Sequence, residues 1–126
     1  MRLYTPEWVA AWNEAVRGLG APAGVAFRML QVVEDAPDGT VRVLLEVGDD
    51  GASLVLDPPD EPAPQVTVSL SYEDAGALAR GELDPARMLA EGRVRVRGDL
   101  AVLVAGQGVL AEAAGRLGGL SKRTTA

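Results

Sequence analysis

Four stretches of this chain alternate apolar and polar residues, and that pattern restricts its fold more than any other feature. Val41, Val43, Leu45 and Val47 alternate through "TVRVLLEV", and Leu54 and Leu56 through "ASLVLD". Val66, Val68 and Leu70 alternate with Thr67, Ser69 and Ser71 in "QVTVSLS". In "RVRVRG", Val94 and Val96 alternate with Arg93, Arg95 and Arg97. A period of two describes a half-buried strand, with one set of side chains on a core and the other in water. A further strand-like run, "GVAFRMLQVVE", precedes them. The turn-rich clusters "DAPDG" and "GDDG" punctuate the first three runs, the second closing a hairpin. Asp49 and Asp50 supply turn geometry there, and no other metal ligands converge on them.

Helical signals flank the strands. Thr5, Pro6 and Glu7 suit the cap and first turn of a helix in which Trp8, Trp12, Val16 and Leu19 recur at helical spacing, with Gly18 and Gly20 as the stop. Its tryptophans serve a core, a ligand cavity, or both. "DPPDEPAP" is a short connector into the fourth strand. Ser71, with Asp74 three residues on, opens a short helix that Gly81 ends. Asp84 and Pro85 open another that Gly92 ends. Asp99 caps a last helix, "LAVLVAGQGVLAEAAGRL". That helix is apolar nearly all round through Gly108, which predicts complete burial. Gly106, Gly108 and Gly115 each cost about 1 kcal/mol relative to Ala in a helix interior. Close backbone approach, or room beside a cavity, would account for them.

Composition removes whole classes of chemistry. The 126 residues suit one domain, read as residues 1–120 with a disordered tail, 121–126. There is no Cys and no His, hence no disulfide, thiolate zinc site, Cys nucleophile or His base. Lys122 is the only lysine, so a Schiff base or a phosphate-gripping lysine is not expected. Glu73, Asp74, Glu82 and Asp84 lie close in sequence, but caps and helix-start charges explain them better than a catalytic pair. The net charge of −6 opposes binding to nucleic acid. No run reaches the roughly 18 apolar residues of a membrane span. "MRLYTPEW" has no apolar signal core, and the ending Thr-Thr-Ala is no peroxisomal signal. The expectation is a soluble cytoplasmic protein. Alternation places Arg93, Arg95 and Arg97 on the wet face of a strand, balanced by carboxylates, rather than on a phosphate-binding strip.

The stretch "VTVSLSYEDAGALARGELDPARMLAEGRVRVRGDLAVLV" carries this order of elements in a recognisable form. With Asp74, Gly81-Glu82-Leu83, Asp84-Pro85, Gly92 and Gly98-Asp99 as landmarks, it resembles the sterol-carrier-protein-2 (SCP2) family of lipid-binding domains. The resemblance is specific over residues 66–104 and rests elsewhere on element order. It implies an α+β fold in the order α-β-β-β-β-α-α-β-α, with a five-stranded, largely antiparallel sheet covered by helices on one face and an apolar tunnel between the layers. It also implies that the chain binds or transfers a fatty acid, acyl-CoA, phospholipid or sterol-like ligand without catalysis or cofactor. Transient membrane contact fits that role, and the oligomeric state is open. The excess of Arg over Lys, with abundant Ala and Gly, resembles a GC-rich bacterial sequence, for which an acyl chain is a better expectation than a sterol. The candidate lining is Trp8, Trp12, Phe27, Leu45, Leu56, Val68, Leu78, Met88, Val96, Leu103 and Leu110. Each of these also suits a plain core. The rival reading is the same fold packed solid, acting as a scaffold or dimerisation module.

Overall fold

The computed structural model describes residues 2–19, 26–49, 51–61, 63–80 and 82–124. Helix α1 spans Pro6–Ala15, and the Thr5 hydroxyl accepts the Trp8 backbone N–H at 3.2 Å. It is shorter than its apolar spacing suggests. Val16, at 1 % exposure, belongs to the C-cap, and Gly18 takes the left-handed conformation, φ +80°, that leads the chain away. Gly20 and Gly81, both expected stops, lie outside the described residues.

Five strands follow in one sheet: β1 Phe27–Ala36, β2 Gly39–Gly48, β3 Gly51–Leu56, β4 Val66–Ser71 and β5 Arg95–Gly98. Their order in space is β3-β2-β1-β4-β5. Pairings β1–β2, β2–β3 and β4–β5 are antiparallel, as expected, but the central pair β1–β4 is parallel. The connector from Asp57 to Gln65 explains the difference. A hairpin would have set β4 beside β3. These residues instead carry the chain back across the sheet, within the reach of roughly 3.3 Å per extended residue. Asp57 N–H donates to the Arg42 carbonyl at 2.8 Å as the connector leaves. Gln65 N–H donates to the Arg28 carbonyl at 3.1 Å as it arrives.

The alternations become the two faces of this sheet. Register sets Leu56, Val43, Gln31, Val68 and Val96 in one row across the inner face, and Leu54, Leu45, Met29 and Val66 in the next. Val55, Leu44, Leu30, Thr67 and Arg97 form a row on the outer face. Arg95 and Arg97 thus point away from the helices. Arg95 pairs with Glu34 on that outer side. Arg93 precedes the strand, reaching Glu91 at 3.6 Å and Asp74 at 3.9 Å.

The helices cover the inner face. α1 packs against β3, while α2 (Tyr72–Ala79) and α4 (Leu100–Ala114) pack against β1 and β4. Ser71 caps α2 through the Asp74 N–H at 3.1 Å. Asp84 caps α3 (Pro85–Ala90) through the Ala86 N–H, also at 3.1 Å. Asp99 caps α4 through Ala101 N–H at 2.9 Å. Gly98 makes that strand-to-helix turn possible. Its φ is +118°, and a Cβ there would collide with the Gln65 carbonyl oxygen and lie 2.9 Å from Val66 Cα.

Two expectations about the C-terminal region are corrected. α4 is not buried all round, for Leu100 and Val104 are 65 % and 68 % exposed while Leu103, Val109 and Ala113 are buried. Apolar composition alone does not place a face against the sheet. Nor is the region after residue 120 a disordered tail, at least through Thr124. α4 ends at Ala114, and a tenth element, α5, spans Gly118–Arg123. Leu120 and Thr124 are buried, and the Thr124 hydroxyl accepts from Trp8 Nε1 at 2.9 Å while donating to the Leu120 carbonyl at 2.7 Å. Residues 125–126 lie outside the described residues.

Candidate functional site

The inner face is not packed solid. A cavity of about 460 Å³ lies between sheet and helices. Each wall follows from an element already described. β1 contributes Met29 and Gln31, β3 Leu54, β4 Val68 and Leu70, and the end of β5 Val96. α1 contributes Trp8 and Trp12, one helical turn apart. Asn13, one residue further on, fixes this helix to the sheet edge: its side-chain amide accepts the Leu54 N–H at 2.7 Å and donates to the Leu54 carbonyl at 3.0 Å. α2 contributes Ala75, Leu78 and Ala79, α4 contributes Leu103, Gln107 and Leu110, and α5 contributes Leu120. Leu89 and Ala111, both exposed, also border the cavity, so it reaches the surface between α3 and α4.

Of the candidate lining residues, Trp8, Trp12, Val68, Leu78, Val96, Leu103 and Leu110 meet at this cavity. Phe27, Leu45, Leu56 and Met88 do not. Leu45 and Met88 are each 1 % exposed in the core, and Leu56 packs against that core from β3. Phe27 sits beneath α4, where its ring edge would meet a Cβ on Gly106 at 3.5 Å. Gly106 therefore has the close-approach role expected of a helix glycine: a Cβ would also lie 2.8 Å from Met29 Sδ. Gly108 has open space around its would-be Cβ, and nothing in the structure explains it.

Polar lining was missed altogether. Tyr4, Gln31, Gln107 and Thr124 border the cavity, and no charged side chain does among the described residues. The Tyr4 hydroxyl donates to Gln31 Oε1 at 3.2 Å, and its ring meets Trp8 edge-on with centroids 5.2 Å apart. Burial, reinforced by the neighbouring Tyr72 phenol, pushes the Tyr4 pKa well above the ordinary tyrosine range. Tyr4 is therefore a neutral hydrogen-bonding group. The buried Tyr72 hydroxyl has no hydrogen-bond partner among the described residues. Gln31 was the available signal, an amide on the otherwise apolar inner face of β1.

Three of the four acidic residues considered for catalysis have structural partners, and the fourth, Glu73, lies in the first turn of α2. Asp84 caps α3, Glu82 pairs with Arg80 at 3.1 Å, and Asp74 lies in the first turn of α2 facing Arg93. No group of three or more metal-ligating side chains occurs among the described residues. No helix among them is long and apolar enough to cross a membrane.

The SCP-2 sterol transfer family model matches residues 21–111 of this sequence. The chain belongs to the SCP-2 sterol transfer family. Solved structures agree on the fold. A crystal structure of sterol carrier protein 2 aligns with a TM-score of 0.68 at 17 % identity, covering 92 % of this chain and 97 % of that one. Palmitated SCP2L2 from Aedes aegypti aligns at 0.60 with 20 % identity, covering 81 % and 92 %. The sterol carrier protein domain 2 of Helicoverpa armigera aligns at 0.57 with 20 % identity, covering 85 % and 76 %. No curated protein matches the sequence. SCP2 domains bind hydrophobic lipids, and this chain is by family a lipid-binding or lipid-transfer domain with the α+β SCP2 fold.

Proposed function

We propose that this SCP2 domain holds the hydrocarbon part of one lipid in the cavity between sheet and helices and carries it without covalent chemistry. The observation behind the reading is the cavity itself: about 460 Å³, lined almost wholly by aliphatic and aromatic side chains. Kept dry and empty at about 24 cal/mol per Å³, that volume of 460 Å³ would cost on the order of 11 kcal/mol. Such a cost matches the roughly 5–15 kcal/mol stability of a whole domain. Burying an acyl chain returns about 0.8 kcal/mol per methylene, so a dozen methylenes supply a driving force of about 10 kcal/mol. The cavity can thus select for chain length and apolar character with few polar contacts. Trp8, Trp12, Val68, Leu78, Val96, Leu103 and Leu110 are its proposed ligand contacts. The exposed Leu100 and Val104 on α4, with Leu89 at the cavity's edge, would meet a membrane during loading.

A solid-packed scaffold would not leave this volume, and the cavity counts against that alternative. Native mass spectrometry on protein purified without detergent tests the choice, followed by thermal melts with increasing fatty acid. A carrier should retain lipid or gain stability with ligand, by about 2.7 kcal/mol at a hundredfold excess over Kd. A ligand-free mass and a melt unmoved by fatty acid, acyl-CoA and phospholipid would reject the carrier reading.

A further inference from the structure

The two edges of the sheet are finished differently. Along an edge strand, the backbone groups of every second residue point out of the sheet and can template a further strand. At β3 the outward groups of Leu54 are both taken: its N–H donates to the Asn13 side-chain carbonyl at 2.7 Å, and its carbonyl accepts from the Asn13 amide at 3.0 Å. One asparagine thus stands where a neighbouring strand would pair. β5 has no such cover. Asp99 N–H donates to the Gln65 carbonyl at 2.9 Å, one step beyond the Val66–Gly98 pair. Alternation from that bond turns the backbone of Arg97 and Arg95 toward β4 and that of Val96 away from it. Val96 N–H and carbonyl take no partner among the described residues. The Val96 side chain borders the cavity, while its backbone faces out along the edge.

Charge decides what this edge accepts. A strand added here would continue the alternation of the sheet, with the residue opposite Val96 on the inner side and its two neighbours on the outer side beside Arg95 and Arg97. Arg95 is matched by Glu34, and Arg93, before the strand, by Glu91 and Asp74. Arg97 is exposed and makes no ion pair among the described residues. A second copy pairing antiparallel through Val96 would set Arg95 of each chain against Arg97 of the other, a like-charge contact that opposes association. The net charge of −6 is screened beyond about 8 Å at physiological salt, so Arg97 sets the sign felt at the edge. We propose that the β5 edge docks an extended segment of another protein in which carboxylates flank an apolar residue, added beside β5 as a sixth strand. The apolar residue exchanges backbone hydrogen bonds with Val96, and the carboxylates meet Arg97 and Arg95.

Amide NMR titration of the full chain with the peptide Ser-Glu-Val-Glu-Val-Glu-Ser tests this. The Val96 N–H should move downfield as it gains an acceptor, with the other changes confined to the β5 side of the sheet. Arg97→Glu removes an attraction and adds a repulsion, and should weaken the peptide about tenfold. The same variant should gain a similar factor toward Ser-Lys-Val-Lys-Val-Lys-Ser, which a loss of fold would not produce. Methylating both valine nitrogens of the acidic peptide removes its donor to the Val96 carbonyl and should also weaken it about tenfold, with every side chain unchanged. A Val96 N–H unmoved by millimolar peptide, or binding indifferent to both the charge reversal and the methylation, overturns the proposal. So does a Val96 shift that follows protein concentration without peptide, which would make the edge a contact between copies. Arg97-dependent binding to phosphatidylglycerol vesicles by protein that ignores the peptide also overturns it, and would make the edge a membrane contact.

Discussion

Replacing Ala79 with leucine should stabilise the empty protein and weaken its hold on lipid. Ala79 is the last residue of α2 and part of the cavity wall. Leucine adds three carbons, worth about 2.4 kcal/mol at 0.8 kcal/mol each. Fixing its rotamer removes about 0.5–1 kcal/mol, leaving a gain of about 1.5–2 kcal/mol. For a chain of this size the gain corresponds to a rise in Tm of about 5–8 °C. The sign is informative, because the same enlargement in a filled core typically costs about 1–3 kcal/mol. The leucine also occupies volume that the ligand would use. Displacing two methylenes of lipid weakens binding by about 1.6 kcal/mol, somewhat more than tenfold. Thermal denaturation of delipidated protein gives the first quantity, and displacement of a pyrene-labelled hydrocarbon gives the second. A lowered Tm would show that the space at Ala79 does not accept atoms. A raised Tm with unchanged lipid affinity would show that the ligand does not use this space, and either result refutes the reasoning.

Other substitutions separate cavity effects from framework effects. Gly106→Ala should push the Met29 thioether toward the cavity and reduce lipid affinity, with little net change in stability, since a helix gain of about 1 kcal/mol opposes the crowding. Gly108→Ala, in open space, should gain up to about 1 kcal/mol by urea titration and leave lipid binding intact. Gly98→Ala should lose about 3 kcal/mol or more in the same titration, because it combines backbone collision with an unfavourable φ. Trp8→Phe removes the N–H that holds Thr124 and should cost about 1–2 kcal/mol, with faster proteolysis at α5 as the specific sign. Tyr4 has its pKa raised in the folded state, so its contribution is complete below the ordinary value of 10.0 and is lost as pH rises above it. The unfolded phenol ionises first and draws the equilibrium toward unfolding. Above pH 10.0, stability should therefore fall more steeply in the wild type than in Tyr4→Phe, measured by paired urea titrations.

What could be read in advance divides along physical lines. Local chemistry was legible: Thr5, Ser71, Asp84 and Asp99 all cap where their side chains suggested, and every alternating run became a strand with the expected side on the inner face. Neighbour relations were less so. Alternation states which side chains share a face but not which strand lies alongside, so the parallel β1–β4 pair was invisible until the path of the 57–65 connector was known. α5 was missed for a related reason. A six-residue segment opening with Gly118-Gly119 has little helical tendency of its own, and its hold comes from Trp8, 116 residues away from Thr124. Separating cavity from core is harder still. Leu45 and Leu54 are direct partners on the same face, yet only Leu54 borders the cavity. Hydrophobicity cannot distinguish them, because both environments exclude water. A polar residue can. Gln31 occupies the central row of the inner face with Val43 on one side and Val68 on the other. In a solid core that amide would need a full set of protein partners, whereas beside a cavity part of its capacity remains for an occupant. The exception within the apolar pattern is therefore more informative about the site than the pattern itself.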